Sequence, residues 1–355
     1  MTQLAVHGLL AVLITISLTV PACHADDEYA IRVYPCAYAY ETVTIDGLLE
    51  EGIWTRAPET TGFTWYSKAE PADVQTSLRW AYDNTHLYIA VTCDEPSMSR
   101  LTPVSQPRDA HAVFQGETIE LFVDPDHDHG RYYQIAVNAA ASIYDSRGTD
   151  PAWSADVKAA TRLGADTWTM EVAIPWADLQ TEPKAGAIVG VNACRDRYLG
   201  PDKQWSNWSR TKGGFHDPAR FGHLVLSPST EMIAGLEAEL RMGGRRGPID
   251  IDGSDGFVNA AYRALSSNAI AATDQWIDRL EQAGKAETGR ATQEALADRI
   301  KAYRAELAGF RQTLAGEAAP ERSVWTGMTA RLGDIRLEID RVLWEARLEG
   351  LLAEI

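Results

Sequence analysis

The chain has 355 residues, 45 % of them hydrophobic, which favours two domains over one and is enough apolar material for a packed core. Its formal net charge of −17 at pH 7 argues against nucleic acids and anionic membrane surfaces as partners, because both would repel it. The charge does not argue against uncharged substrates. Eleven tryptophans are a high number, and rings left at a surface can stack on a ligand.

The first 25 residues indicate export. They contain no Lys, Arg, Asp or Glu, and the apolar run from Leu9 to Val20 is too short to span a bilayer but has the length of a signal-peptide core. We predict cleavage of a signal peptide, residues 1–25, after Ala25, which gives a secreted, periplasmic or cell-envelope protein. Lipid anchoring at Cys23 is the alternative, although the proline two residues before it departs from the lipoprotein pattern. No other segment is predicted to span a membrane.

Three cysteines, Cys36, Cys93 and Cys194, remain after cleavage. They share none of the short spacings of a zinc site. In an oxidising compartment an odd number allows at most one disulfide, and the sequence leaves the pairing open.

The β region is predicted from short segments with alternating apolar residues and turn signals between them. Roughly ten such strands in residues 26–228 favour an antiparallel β-sandwich of the jelly-roll or immunoglobulin-like kind. Four tryptophans in these patterned segments are predicted to lie in the core, namely Trp54, Trp80, Trp168 and Trp176.

One predicted hairpin, Phe114 to Asn138, carries polar side chains on one face. Its two arms alternate on either side of a Pro/Asp/Gly turn, and Glu120, Gln134 and Asn138 face the same way. Phe114 stands at the entry. A carboxylate, amides and an aromatic ring are suited to a sugar, whose hydroxyls form hydrogen bonds while its C–H face packs on a ring.

The apolar period becomes helical after residue 228. We predict a linker with a short helix over residues 229–256, then three heptad-patterned helices over residues 257–355, with breaks at Gly284 and Pro320. An antiparallel helical bundle or a coiled-coil hairpin fits this pattern. Such a region serves as a scaffold by default, and self-association or a protein partner is possible through it.

Several motifs in the β region resemble family 9 carbohydrate-binding modules. Ile45-Asp-Gly-Leu-Leu-Glu-Glu-Gly-Ile-Trp54 is similar to the family opening I-D-G-x-x-x-E-x-x-W. Further motifs follow in the family's order: Leu87-Tyr-Ile-Ala-Val91, Glu117-Thr-Ile-Glu-Leu-Phe-Val-Asp124, Trp168-Thr-Met-Glu-Val-Ala-Ile-Pro-Trp176, Gly190-Val-Asn192 and Asp217-Pro-Ala-Arg-Phe-Gly222. The resemblance covers roughly residues 41 to 227, and the helical region lies outside it.

This resemblance implies a β-sandwich that holds the ends of sugar chains between two aromatic rings, with help from polar side chains. Phe114 and Phe215 stand where the family has tryptophans, while Glu120 and Asn138 match a sugar-contacting carboxylate and a nearby Asn. The family's basic residue is replaced by Ala136. Three further residues are candidates for supplying what these departures remove: Arg195 (or Arg197) as the cation, and Trp205 or Trp208 as a stacking platform.

A calcium site is a further expectation, because several family members hold structural calcium and Asp124, Asp126 and Asp128 place oxygens at alternate positions of one loop. The spacing departs from the EF-hand pattern, and turn formation explains the same residues. No cofactor is required otherwise.

The predicted function is therefore carbohydrate binding without catalysis, on a poly- or oligosaccharide and in carbohydrate catabolism, as in modules associated with glycoside hydrolases. Hydrolysis needs two facing carboxyl groups, and Glu117 and Glu120 lie on opposite faces of one strand. Two alternatives stay open. One is a haem b electron-transfer sandwich with ligands among Met98, Met170, His111, His129 and His216. The other is a structural cell-envelope protein that assembles through its helices.

Overall fold

The computed structural model describes residues 29–200, 203–236, 240, 247–286 and 290–353. The predicted signal peptide, with Cys23, lies outside these residues. Within them the chain forms thirteen strands followed by three long helices. The prediction of a mainly β protein with helices at its C-terminal end is confirmed.

The strands are short, as their turn signals predict. They are β1 (Ile31–Tyr38), β2 (Thr64–Trp65), β3 (Thr76–Tyr82), β4 (His86–Asp94), β5 (Thr118–Asp124), β6 (Tyr133–Asn138), β7 (Ile143–Arg147), β8 (Lys158–Leu163), β9 (Thr167–Pro175), β10 (Ile188–Arg197), β11 (Gln204–Asn207), β12 (Gly222–Leu226) and β13 (Ile249–Ile251). Two short helices, α1 (Gly52–Arg56) and α2 (Thr230–Gly235), and the 3-10 turn His111–Gln115 lie between them.

All thirteen strands belong to one sheet that folds over a common core. The main order is β7-β6-β5-β10-β12-β1-β3-β4-β9-β8, and β11, β2 and β13 attach beside it. Most neighbours are antiparallel, but β1 pairs in parallel with β12, β13 and β3. This corrects the expectation of a purely antiparallel sheet. Strand β1 joins the two halves of the sheet. Long connections in the chain separate β1 from its three parallel partners, because parallel strands cannot be joined by a tight turn.

The central core lies between the two halves of the sheet. Alternate residues of β5, β6 and β10 meet alternate residues of β3, β4 and β9 there, with Trp80 and Trp168 among the largest buried side chains. Trp54 and Trp176 are also buried. The sequence prediction of these four tryptophans as core residues is confirmed.

Glu171 of β9 holds the segment that carries the opening motif. Its carboxylate accepts hydrogen bonds from the backbone N–H groups of Asp46 and Gly47 and from the indole N–H of Trp54, at 3.0, 2.9 and 2.9 Å. Gly47 has a φ of +86°, and a Cβ there would come within 2.8 Å of the Thr161 backbone. The turn therefore requires glycine. Burial raises the pKa of Glu171 to about 7.

The C-terminal helices are α3 (Asp255–Ala286), α4 (Arg290–Ala315) and α5 (Arg322–Ala353). They share a core of heptad-spaced side chains, including Ile277, Leu307 and Leu332. Gly284, where we expect a break, lies inside α3 instead. A Cβ at this glycine would lie 3.4 Å from Leu296, so the glycine sits where α4 approaches closely.

The segment predicted as a linker contains a strand as well as the short helix α2. Strand β13 pairs with β1, and Ile249 and Ile251 join Ile31 and Val33 in a second core beneath α3 and α5. Trp325 of α5 is buried in the same core. Sheet and helices are therefore packed together rather than joined by an extended linker.

The three cysteines are buried and free, so the disulfide that the sequence allowed does not form among them. Burial raises the pKa of each thiol, to about 12 for Cys93. Within the described ranges, no helix combines the length and hydrophobicity needed to cross a membrane.

Candidate functional site

A cavity of about 360 Å³ opens on the outer face of the sheet half that contains β5 and β10. Five aromatic rings, two carboxyl groups and two glycines line it, namely Tyr66, Phe114, Tyr198, Trp205, Phe215, Glu120, Asp196, Gly213 and Gly214. This combination of apolar walls with a few convergent polar groups is typical of a small-molecule site.

Strand register brings the polar floor of the cavity together. Glu120 of β5 lies opposite Cys194 of β10, and Asp196 stands two residues further along β10 on the same face. Trp205 of β11 lies opposite Asp196. Directly opposed and diagonal residues of an antiparallel pair are within reach of one another, so three adjacent strands deliver Glu120, Asp196 and Trp205 to one place.

Glu120 and Asp196 form a hydrogen-bonded carboxyl pair with little exposure, 6 % and 4 %. Burial, and after it the charge of Glu120, raises the pKa of Asp196 to about 9. Burial also raises the pKa of Glu120, to about 6, against the opposing effect of hydrogen bonds from Gln134 and Asp196. Two close carboxyl groups cannot both ionise easily, so near neutral pH the pair shares one proton.

The second oxygen of Glu120 is held in place from β6. Gln134 donates a hydrogen bond from Nε2 to Glu120 Oε2 at 2.5 Å, and Ser146 Oγ donates to Gln134 Oε1 at 3.1 Å. Ala136 lies directly opposite Glu120 in the register and contributes only a methyl group. The carboxylate is therefore fixed by neutral partners on this side.

The aromatic rings form a continuous wall. Tyr66 contacts Phe215 and Trp205 edge to face, with ring centroids 5.8 and 6.4 Å apart, and Trp205 contacts Tyr198 in the same way at 6.3 Å. The Tyr198 hydroxyl donates to the backbone carbonyl of Phe114 at 2.9 Å. All five rings are partly exposed, which leaves their faces available to a ligand.

The loop that carries Phe215 depends on glycine. Gly213 has a φ of +80° and Gly214 a φ of +150°, backbone conformations that other residues rarely adopt. A Cβ at either position would meet no atom within 4 Å, so side-chain space is not the constraint. These two glycines turn the chain and place the Phe215 ring beside Tyr66.

Four residues that we selected from the sequence, Phe114, Glu120, Trp205 and Phe215, line this one cavity. The other three lie elsewhere. Asn138 holds the turn between β6 and β7, where its Oδ1 accepts hydrogen bonds from the backbone N–H groups of Ala140 and Ser142 at 3.0 and 2.9 Å. Its side chain is therefore already used within the fold.

Arg195 and Trp208 point into the interior. Arg195 is 0 % exposed, shares the core-facing side of β10 with Val191 and Ala193, and binds Glu95. It therefore does not replace the basic residue of the resembled family. Arg197, on the same side of the strand, binds Glu95 as well. Trp208 is 1 % exposed, and its indole N–H donates to Thr60 Oγ1 at 2.8 Å.

Sequence reasoning missed five residues of the cavity, the glycines Gly213 and Gly214 and three with larger side chains, Tyr66, Asp196 and Tyr198. A signal for Asp196 was present: with Val191 and Ala193 facing the core, alternation places Asp196 on the opposite face. Tyr66 follows the two-residue strand β2, which is too short to show a pattern. Its position depends on the pairing of β2 with β11, a contact between distant parts of the chain.

Comparison with known proteins identifies the family. The sequence profile described as "Carbohydrate family 9 binding domain-like" matches residues 45–229, more than half of the chain. The chain belongs to this family. The resemblance drawn from the sequence motifs is confirmed, and the helical region lies beyond the match. No curated protein matches the chain.

Solved structures of similar fold include other members of family 9. A family 9 module from Caldicellulosiruptor kristjanssonii in complex with cellotriose is 17 % identical, with a TM-score of 0.41 over 55 % of this chain and 93 % of that one. A structure of a family 9 module from the same organism in complex with glucose is 17 % identical, with a TM-score of 0.40 over 55 % of this chain and 95 % of that one. A protein from Bacteroides uniformis that is assigned as carbohydrate-binding is 18 % identical, with a TM-score of 0.46 over 55 % of this chain and 99 % of that one.

The aspartates expected to bind calcium in this family 9 domain have other partners. Asp126 pairs with Arg131, and Asp128 Oδ1 accepts a hydrogen bond from the Gly130 backbone N–H at 2.8 Å. Asp124 is buried and accepts from the His129 backbone N–H at 2.8 Å. In the part of the chain that is described, no three His, Cys, Asp or Glu side chains are grouped to hold a metal ion. Calcium binding at Asp124, Asp126 and Asp128 stays a prediction.

The residues named for a haem are dispersed over the family 9 domain. Met170 is buried in the central core, and Met98 packs against its edge. His111 contacts Phe114, His129 contacts His127, and His216 accepts or donates a hydrogen bond with the Tyr132 hydroxyl. Each histidine thus has a different ring partner, and haem binding stays an untested alternative.

Proposed function

We propose that this protein is a secreted, non-catalytic carbohydrate-binding protein that holds part of a poly- or oligosaccharide in the cavity beside Glu120. Membership of family 9 supports carbohydrate binding in general. The single observation that carries the proposal for this cavity is its lining of five aromatic rings around two carboxyl groups. The rings suit the C–H faces of a sugar, and the carboxyl oxygens suit its hydroxyl groups.

The dimensions of the cavity suit a short piece of a sugar chain. Its volume of about 360 Å³ is near the lower end of the range for small-molecule sites, roughly 300–1,000 Å³. We infer that the protein contacts a chain end or a single short stretch rather than a long run of units.

The rest of the proposal concerns export and the role of the helices. Residues 1–25 act as the signal peptide in this proposal, and the protein takes part in carbohydrate catabolism outside the cytoplasm, by delivering sugar chains rather than cutting them. The β region is a jelly-roll-like sandwich, and α3, α4 and α5 form a helical bundle that serves as a scaffold. A shared-proton carboxyl pair fixed by Gln134 is suited to hydrogen bonding with the hydroxyl groups of a sugar.

A glycan array with the purified mature protein tests this proposal, followed by calorimetric titration of the best ligand. Phe215→Ala should weaken binding by about 1–3 kcal/mol, roughly fivefold or more, because it removes a stacking ring. Tyr40→Ala is the matched control, since Tyr40 is 86 % exposed and lies outside the cavity. Equal affinity for both variants would place the site elsewhere, and an array without any bound glycan would overturn the function.

A further inference from the structure

The cavity lining is electrically one-sided. Among the described residues that line it there is no Lys, Arg or His, while Glu120 and Asp196 supply two carboxyl groups. The five rings add the negative potential of their π faces. A neutral sugar would use only the stacking and hydrogen-bonding capacity of such a surface, whereas a cation would use all of it.

Two basic residues beside the cavity lining, Arg195 and Lys203, contact groups other than the carboxyl pair. Arg195 precedes Asp196 in the chain, but it faces the core and is engaged by Glu95 and Glu117. At the rim, Lys203 Nζ lies 4.5 Å from the centroid of the Tyr198 ring, and His111 lies 5.4 Å from the ring of Phe114. Both rim contacts are with rings. The Lys203 contact shows that an ammonium group is accommodated on the aromatic wall.

We propose that this cavity selects sugars that carry a protonated primary amine, the amino sugars, over neutral sugars of the same shape. The ammonium group would donate its N–H bonds to the oxygens of Glu120 and Asp196, while the sugar ring stacks on the aromatic wall. This proposal rests on the proposed function and narrows it to one class of substrate.

Hydrogen bonding distinguishes a primary ammonium from other cations. A primary ammonium has three N–H donors, and the carboxyl pair presents oxygen acceptors at the floor of the cavity. A quaternary ammonium has no donor and would leave these oxygens without their ligand partner. An acidic sugar would place a further negative charge beside the pair, which is unfavourable in a buried site.

The protonation of the pair supports the same conclusion. Its pKa values are raised chiefly by burial, and for Asp196 also by the charge of Glu120 and, more weakly, of Glu117. A cation between the two groups favours their ionised forms and removes the repulsion between them. Binding an ammonium therefore relieves a cost that the empty cavity carries, and binding a neutral hydroxyl does not.

Three disaccharides with the same rings and linkage test the proposal. Cellobiose, N,N′-diacetylchitobiose and its fully deacetylated form carry a hydroxyl, an acetamide and an amine at the same carbon. Calorimetric titration of the mature full-length protein at neutral pH, where Glu120 is ionised and much of the amine is protonated, should give at least about tenfold tighter binding of the deacetylated form. Charge-assisted hydrogen bonds are the reason.

Two conservative variants locate this preference. Glu120→Gln and Asp196→Asn keep the shape of the pair, and each removes one of the two carboxylates that a bound ammonium would favour, so each should bring the affinity for the amine form close to that for cellobiose. Glu50→Gln is the control, because it changes the net charge equally at an exposed residue outside the cavity, and it should keep the full preference. Circular dichroism and the thermal midpoint of each variant show whether the fold is retained.

The possible results separate this inference from the proposed function. Equal or tighter binding of cellobiose or the acetylated form would overturn the amine preference and leave carbohydrate binding standing. A preference that persists in both cavity variants would reflect the charge of the whole surface and would also overturn the inference. Equally tight binding of choline would show that positive charge alone is recognised, contrary to the proposal. If no glycan bound at all, both the amine preference and the proposed function would be overturned.

Discussion

Arg195 and Asp196 are consecutive in strand β10, yet their side chains face opposite sides of the sheet. Arg195 lies in the interior against Glu95, whereas Asp196 pairs with Glu120 at the cavity floor. Because side chains of a strand alternate strictly, one dipeptide contributes both to the stability of the fold and to the candidate site. Substitutions on the two faces should therefore have separable effects.

On the interior face, Glu95→Ala should destabilise the protein strongly. Glu95 is 0 % exposed and accepts hydrogen bonds from Arg197 at 2.7 and 2.8 Å and from Arg195 at 3.3 Å. Its removal leaves the positive charges of two buried guanidinium groups less well balanced, which should lower the free energy of unfolding by about 3–5 kcal/mol. Urea unfolding measures this loss, and Asp94→Ala is the control because its neighbouring carboxylate is exposed. Similar stability of the two variants would contradict the ion network.

On the cavity face, Asp196→Asn should stabilise the protein, and more so at higher pH. The folded-state pKa of Asp196, about 9, lies above the ordinary value of 3.8, so the folded chain binds more protons than the unfolded chain. Stability from this group is therefore greatest at low pH and is lost as the pH rises from about 4 toward 9. Asparagine keeps the hydrogen bond to Glu120 without this dependence.

The measurement for Asp196→Asn is denaturant unfolding of the variant and the unmodified protein at pH 5 and pH 8. We expect the variant to be more stable by at least about 1 kcal/mol at pH 8, with a smaller difference at pH 5. A difference that is constant with pH would show that Asp196 is not the titrating group. Loss of stability at both pH values would show that the carboxyl group is needed for the fold.

The sequence predicts which segments form strands and helices better than it predicts which of these elements lie side by side. Alternation in β5 and β6 places Glu120 on a polar face, because that pattern is local. The pairing of β10 with β11, and of β11 with β2, joins segments far apart in the chain, so Asp196 and Tyr66 could not be placed beside Glu120 from periodicity alone. The burial of Trp208 and the exposure of Trp205 follow from the same pairing.

The region after residue 228 shows the same limit. Heptad spacing predicts α3, α4 and α5 because helical faces repeat over many residues. Strand β13 has only three residues, and its partner β1 lies at the other end of the domain, so nothing local marks it as a strand. The resulting contact between the sheet and the helices is a property of the fold that the linker prediction lacked.

The contact between sheet and helices can be tested with two tryptophans of the same helix. Trp325 is 1 % exposed, stacks on Tyr262 with ring centroids 6.0 Å apart, and donates its indole N–H to Asn259 at 2.9 Å. Trp325→Ala should cost about 3–5 kcal/mol in unfolding free energy, as large-to-small core substitutions do. Trp344 is 56 % exposed, and Trp344→Ala should change stability by about 0.5 kcal/mol or less.

Circular dichroism during thermal unfolding follows the sheet and the helices together in these two variants. If the midpoints of the sheet signal and of the helical signal are both lower in Trp325→Ala than in the unmodified protein, the second core couples the two regions. A lower midpoint of the helical signal alone would show that the sheet is stable without the helices packed on it. This would contradict the packing of Ile31 and Val33 beneath the helices.

Trp205 and Trp208 provide the sharpest test of the cavity, because they lie three residues apart and have opposite environments. The Trp205 ring is partly exposed at the cavity wall, whereas Trp208 is buried and bonded to Thr60. Trp205→Ala should weaken binding of the best glycan by about 1–3 kcal/mol, roughly fivefold or more, with little change in the thermal midpoint. Trp208→Ala should lower unfolding free energy by about 3–5 kcal/mol. Measured below its lowered midpoint, the folded fraction of Trp208→Ala should retain affinity, since Trp208 does not line the cavity. If Trp205→Ala bound with the original affinity while Trp208→Ala lost binding in its folded state, the ligand would occupy another surface, and the cavity beside Glu120 would lose its role.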